Sequence, residues 1–402
     1  MLSYKGLLHP GFEFLIVSGD FTWGCGDAGF EAAKVFIDEL APFFGKNGIV
    51  VIPGNHDVQL GNPMVIGRLS LPTQKEEAEA RFRDFLSSIG THVATPNKHL
   101  SVVKRLQSRG AEKGLIIIGL NSCRVERRDA QGWGYVGIDQ IYEVASKLSD
   151  PTNPDRARQD DIVLAVLHHN PLPIWDLGLE ELVRVPDDRK FSFLMDAGSV
   201  LGFLSDLGVG AVLHGHTHTL SEKRVQGYGE SEDSVRSTTL VMGAGSFGID
   251  RKYLDGPHHF HVIEVDDSSS FGTLRFEDLT STSTESHSPR AWTVERGRPQ
   301  ELPRSWNTRS TNRVLANRGP DKHQTAVNYE ISQSWALLRT KRTRPAQWPV
   351  ELAALIEQVQ SINPALAAGD IAKAIDDLFD NPPSENDICN WMLAQYLART
   401  LR

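Results

Sequence analysis

The chain has 402 residues, 40% hydrophobic and 23% charged, with a formal net charge of -9. That length suits one large domain with a smaller one, and the acidic balance argues against a general nucleic-acid-coating surface. The longest apolar stretches, EFLIVSG, GLIIIGL and DIVLAVL, fall far short of the roughly 20 residues of a membrane helix. Cys25, Cys123 and Cys389 stand alone, with no C-x-x-C pair, which suits a reducing compartment and argues against disulfides or a thiolate zinc site. Nothing at the start reads as a charged segment leading into an apolar one, so the chain reads as cytoplasmic, with no membrane partner.

In chain order, FEFLIVSGD reads as a buried strand and AGFEAAKVFIDELAPFFG as a helix with apolar residues at three- and four-residue intervals. GIVVIPGNHD is the next strand, and KEEAEARFRDFLSSI an exposed amphipathic helix. GLIIIGLNS, DIVLAVLHHNP and GAVLHGHTH are strands, separated by the helices GIDQIYEVASKLS and GSVLGFLSDLG. Strand and helix in alternation imply a parallel or mixed sheet flanked by helices, with ligands beyond the carboxyl ends of its strands. After His218 the pattern changes. TTLVMGAGSFG, HHFHVIEVDD and GTLRFEDL read as strands without helices between them, hence a second, antiparallel layer. TSTSTESHSPR reads as a loop, and residues 290–344 show no clear periodicity. That stretch holds twelve Lys/Arg against four Asp/Glu, a balance of +8 that leaves -17 for the rest. From Pro349 a helical period returns, with Leu352, Leu355, Ile356, Val359 and Ile362 on one stripe. Asn363-Pro364 opens a second helix bearing Ile371, Ile375, Leu378 and Phe379, and Ser384 with Asp387 caps a third. The expected division is 1–289 as a catalytic domain, 290–348 as a basic, aromatic-laced linker and 349–402 as a helical region.

Four strand ends share one property. LIVSGD delivers Asp20; VVIPGNHD delivers Asn55, His56 and Asp57; LAVLHHN delivers His168 and His169; AVLHGHTH delivers His214, His216 and His218. A lone histidine beside a strand is an ordinary structural residue. Carboxylate, amide and several imidazoles converging on one crevice are costly to bury unpaired, and a divalent cation accepts their lone pairs. If His216-Thr217-His218 stays extended, both imidazoles share a face and can serve neighbouring ions. Mixed nitrogen and oxygen donors suit manganese, iron or zinc. Alternation favours His168 over His169 as ligand, because it points the second to the opposite face. His214 alternates onto the ligand face, and Asn121, ending its strand, reads as an ordinary loop residue.

The ordered set GD, GNHD, a strand-end LHH and GHTH resembles the calcineurin-like metallophosphoesterases, nearest to their cyclic-nucleotide phosphodiesterase and repair-exonuclease branches. The resemblance covers about residues 12 to 265. It implies an α/β sandwich, with mixed β-sheet layers flanked by helices, and two divalent transition ions. On this likeness Asp20 bridges both ions, Asn55, His168 and His216 complete one site, and His218 belongs to the other. His56 is the non-ligand imidazole that stabilises charge or protonates the leaving oxygen, steadied by Asp57, and His214 either supports the ligands from behind or is structural.

The family opens with a strand ending D-x-H, and no such motif precedes Asp20; His9 has no Asp two residues before it. Three explanations compete: a start placed too far downstream (the preferred one), a substitute residue, or a chain holding a single ion with weak or no activity. The leading functional reading is a phosphodiesterase acting on a nucleotide by metal-activated water. A nuclease is the second, resting on the basic stretch with Trp292, Trp306, Tyr329 and Trp335 interleaved, though a solvated linker explains that stretch better. The third is an inactive interaction module whose terminal helices bind a second copy or a protein partner.

Overall fold

The computed structural model describes residues 13–22, 26–44, 48–59, 75–106, 114–124, 134–159, 161–172, 194, 196–218, 220–226, 238–245, 258–266, 273–281, 292–296 and 300–301. All lie in the first of two compact units, Met1–Ala316, and the expected helices of 349–402 fall outside them.

Two short strands, β1 (Leu15–Val17) and β2 (Ile49–Val51), pair in parallel, with Leu15 opposite Ile49 and Val17 opposite Val51. A larger sheet holds β3 (Val102–Leu106), β4 (Leu115–Gly119), β5 (Ile162–Val166), β6 (Ala211–His214), β7 (Ser221–Gln226) and β8 (Thr238–Gly243). Its order is β3-β4-β5-β6-β8-β7. The four central strands β4, β5, β6 and β8 are parallel, and β3 and β7 run antiparallel at the edges. Every residue of β4, β5 and β6 is buried, the reason their sequences are unbroken apolar runs rather than alternations.

The two faces of these strands feed different cores. Ile116, Ile118, Val163, Ala165 and Val212 face one way, onto α3 (Ile138–Ser149) through Ile141, Val144, Ala145 and Leu148. The same core takes Val200, Phe203 and Leu204 of α4 (Ala197–Asp206). Ile117, Ile162, Leu164, Val166, Ala211 and Leu213 face the other way, onto Ile16, Val50 and Ile52 at the two-stranded sheet. The outer face of that small sheet, Val17, Ile49 and Val51, rests on α1 (Asp27–Leu40) and α2 (Lys75–Ile89). Phe30, Ala33 and Ile37 come from α1, and Ala78, Phe82, Phe85 and Ile89 from α2, at helical spacing. The result is helix, sheet, sheet and helix in layers, the α/β sandwich that the sequence implies. A further sheet joins β9 (His259–Asp266), β10 (Thr273–Ser281), β11 (Trp292–Arg296) and β12 (Gln300–Glu301), all antiparallel to β10. Ile263 and Val265 of β9 pack on the inner core.

Three expectations change. TTLVMG is not part of the antiparallel layer: as β8 it lies beside β6, parallel to it, in the larger sheet. No crossover helix is needed, because β7 carries the chain back along the edge and β8 returns between β6 and β7. SEKRVQ escaped notice as a strand because its Glu222, Lys223 and Arg224 are the charges that protect an edge. The stretch from 290, aperiodic in sequence, opens with strands, since β11 and β12 hydrogen-bond to β10. Strand pairing, not local periodicity, makes those segments regular. For the same reason β10 carries the strand two residues into the expected loop, to Ser281.

Candidate metal centre

The chain leaves β1 through Ser18-Gly19-Asp20 and leaves β2 through Pro53-Gly54-Asn55-His56-Asp57. The two loops touch backbone to backbone. A Cβ on Gly19, whose φ is +93, would stand 2.2 Å from Gly54 N, and one on Gly54 would stand 2.1 Å from Asp20 Oδ1. Only glycine permits this approach. Asp57, fully buried, then ties the loops together: Oδ2 accepts the N–H groups of Asp20 (2.8 Å) and Gly54 (2.9 Å), and Oδ1 accepts that of Thr22 (3.0 Å). Burial and the neighbouring Asp20 charge push Asp57 up to about 7, against the pull of these donors and His168.

Beyond β5 and β6 the chain supplies the other donors. His168 Nδ1–H donates to the carbonyl of Ser18 at 2.6 Å, which turns Nε2 inward with its lone pair. That Nε2 lies 3.0 Å from Asn55 Oδ1, 3.1 Å from His216 Nδ1 and 3.3 Å from Asp20 Oδ2. His216 Nδ1 is also 3.0 Å from Asn55 Oδ1. Burial would raise the Asp20 pKa, but His168, His56 and His216 outweigh it and hold the carboxyl below the usual range. Burial, and then its neighbour His168, holds His216 well below the ordinary imidazole value. For His168 burial pulls downward, and Asp20 outweighs it.

These four donors fit a cation. At a bond of about 2.1 Å, ligand atoms stand about 3.0 Å apart in an octahedral shell and about 3.4 Å apart in a tetrahedral one. The observed 3.0–3.3 Å separations lie on that scale. A carboxylate, an amide oxygen and two imidazole nitrogens suit manganese, iron or zinc. The backbone also pays for this geometry: among the described residues four non-glycines have φ in the left-handed region, and three are Asp20, His216 and His218. Such conformations cost about 1–3 kcal/mol each and cluster at functional sites.

Other expected residues sit differently. His218 is not among the converging donors. Its segment is not the extended one expected from the sequence, because β6 ends at His214 and both His216 and His218 turn left-handed. His169 Nδ1 meets Ser122 Oγ at 2.9 Å. Its ring is not sent to the opposite face: it lies 4.6 Å from that of His216, since β5 has already ended at Val166. His169 Nε2 is buried with no hydrogen-bond partner among the described residues. His214 is structural in its contacts, donating from Nδ1 to Gly215 O at 3.2 Å, and burial lowers it to about 4. Asn121 is a clamp, receiving Cys123 N–H and donating to His99 O. Asp57 faces backbone donors, and the partner at His56 Nδ1 is Gln59 Oε1, at 3.1 Å. Ser122, whose Oγ accepts the backbone N–H of both His168 and His169, was missed. It ends the GLIIIGLNS strand, so the strand-end rule could have found it. Nothing in the sequence marks Gln59.

Strand tips of two facing sheets that gather a carboxylate, an amide and imidazoles define a metal-binding site of the phosphoesterase class. Residues 4–220, more than half of the chain, match the sequence model of the calcineurin-like phosphoesterases. The chain belongs to that family, whose activity is metal-dependent phosphoester hydrolysis. No curated protein matches it. Among solved structures, a single-site mutant of Vps29 from Entamoeba histolytica is similar at 15% identity and a TM-score of 0.26, over 71% of this chain and 99% of that one. A double mutant of the same protein gives 14% identity and a TM-score of 0.24, over 71% and 96%. Among the described residues no helix is long and apolar enough to cross a membrane.

Proposed function

We propose that this chain hydrolyses a phosphodiester, with a nucleotide as substrate, at the site where Asp20, Asn55, His168 and His216 meet. The observation that carries the reading is the clustering of donors from four strand ends: His168 Nε2 lies 3.0–3.3 Å from Asn55, His216 and Asp20, and His216 Nδ1 lies 3.0 Å from Asn55. These residues would hold one divalent transition ion, and His218 would serve a second. When bound, such an ion supplies positive charge to a phosphoryl group and acidifies water. Asp20 contributes the negative charge of the set, His168 is oriented by Ser18, and His216 offers a neutral nitrogen. His56 carries a proton to the leaving oxygen. Asp57 holds the Asp20 and Asn55 loops in register. The nucleotide rests on the likeness of VLHHNPLP to cyclic-nucleotide phosphodiesterases.

The test is metal content and turnover together. Asp20→Ala and His216→Ala should strip a manganese- or zinc-loaded protein of most of its metal on dialysis, and should abolish hydrolysis of a chromogenic diester. His56→Ala should keep its metal while the rate falls by roughly 10²–10⁴. Equal, negligible metal in wild type and both ligand variants would overturn the site. Metal retention without diester hydrolysis would overturn the activity.

A further inference from the structure

The His56 imidazole, given above the task of moving a proton, needs one nitrogen fixed so that the other can do so. A carboxylate is the common partner for that purpose, and Asp57 is the adjacent one. Its two oxygens are instead turned to the N–H groups of Asp20, Gly54 and Thr22. The partner at His56 Nδ1 is the amide oxygen of Gln59. The geometry is built locally. Residues 55–58 form a tight turn, closed by Asp57 N–H on Gly54 O at 3.1 Å, and Val58 is buried, which anchors it. Residues three apart on such a turn stand side by side, so Gln59 lies next to His56. The His56 backbone is held as well, its N–H on Asp20 Oδ1 (3.1 Å) and its carbonyl on Thr22 Oγ1 (3.1 Å). Main chain and ring are thus both fixed.

We infer that Gln59 is a positioning residue: it holds the His56 ring and sets its tautomer, with the proton on Nδ1. An amide oxygen only accepts, so Nδ1 must carry the hydrogen and proton exchange with a substrate falls to Nε2. An imidazole without such a partner favours the opposite tautomer. A neutral amide orients the ring without the negative charge a carboxylate would add beside Asp20. The inference rests on the proposed acid role of His56 for its catalytic consequence, but not for its structural content.

The experiment uses the full chain, labelled with ¹⁵N in its histidines, and the variants Gln59→Leu and Gln59→Glu. Long-range ¹⁵N–¹H spectra should show neutral His56 protonated on Nδ1 in wild type and Gln59→Glu, and on Nε2 in Gln59→Leu. On a chromogenic diester, Gln59→Leu should lower kcat by about tenfold to a hundredfold with KM and zinc content held, and Gln59→Glu should restore most of the loss. An Nε2-protonated His56 in wild type, or a tautomer that Gln59→Leu leaves unchanged, overturns the inference whether or not the protein hydrolyses diesters. The expected tautomer shift in a protein that hydrolyses no diester upholds Gln59 and overturns the proposed activity instead.

Discussion

Replacing Gly54 with alanine tests the idea that contact between the two loops builds the site. The added Cβ would fall 2.1 Å from Asp20 Oδ1, 2.2 Å from Asp20 N and 2.8 Å from its Cγ, whereas ordinary contacts begin at 3.4 Å. The Asp20 backbone must therefore retreat by about 1.2 Å, the gap between 2.2 Å at its nitrogen and 3.4 Å. A shift of that size along the bond stretches the hydrogen bond from Asp20 N to Asp57 Oδ2, now 2.8 Å, to about 4 Å, beyond any useful length. One bond to a carboxylate acceptor is lost, at about 1.5–3 kcal/mol, on top of about 1–3 kcal/mol for overpacking. We expect a loss of about 3–5 kcal/mol in urea unfolding and a fall of about ten- to a hundredfold in zinc affinity by chelator competition. Gly202→Ala, in α4 with nothing within 4 Å of the new Cβ, is the control and should gain about 0.5–1 kcal/mol. If Gly54→Ala unfolds within about 1 kcal/mol of wild type and holds zinc as tightly, close approach of the loops is not what makes the site.

Two further predictions concern the scaffold. Arg105 and Asp161 form a buried two-pronged pair, at 2.8 and 3.0 Å, and Asp161 also accepts Gly114 N–H at 2.7 Å and Arg158 N–H at 2.8 Å. Arg105→Leu leaves that carboxylate without its cation and should cost about 3–5 kcal/mol in urea unfolding; a loss below about 1 kcal/mol would show the pair to be incidental. Asp196 accepts Val136 and Gly137 N–H, and burial raises it to about 6 despite them. The folded chain holds that proton more tightly than the unfolded one, so the stabilisation is complete below about pH 4 and disappears as pH rises through about 6. Between pH 4 and 8, wild type should lose about 3 kcal/mol relative to Asp196→Asn, and parallel pH curves for the two would contradict it.

Burial was legible along the chain, and pairing was not. Ile116–Ile118, Ile162–Val166 and Ala211–Leu213 announced themselves as apolar runs because parallel strands are covered on both faces. Phe82, Phe85 and Ile89 announced α2 through their spacing. The charged edge β7, the insertion of β8 beside β6 and the pairing of β11 and β12 with β10 left no local trace, because a strand's neighbours are chosen by the rest of the sheet. At the site, Asp20, Asn55, His168 and His216 could be read as strand-tip residues, and the structure brings their donor atoms together. Their chemistry follows from residue type and from the end of the strand on which they stand. What the sequence could not decide is which polar atom answers which. Asp57 faces backbone donors rather than His56, Gln59 takes that place, and His169 ends beside His216. His218 stays outside the converging donors, although its backbone turns left-handed as those of Asp20 and His216 do. Residue type and periodicity are properties of a segment. A hydrogen-bond partner depends on distances between segments far apart in the chain, and only the packed sheets set those.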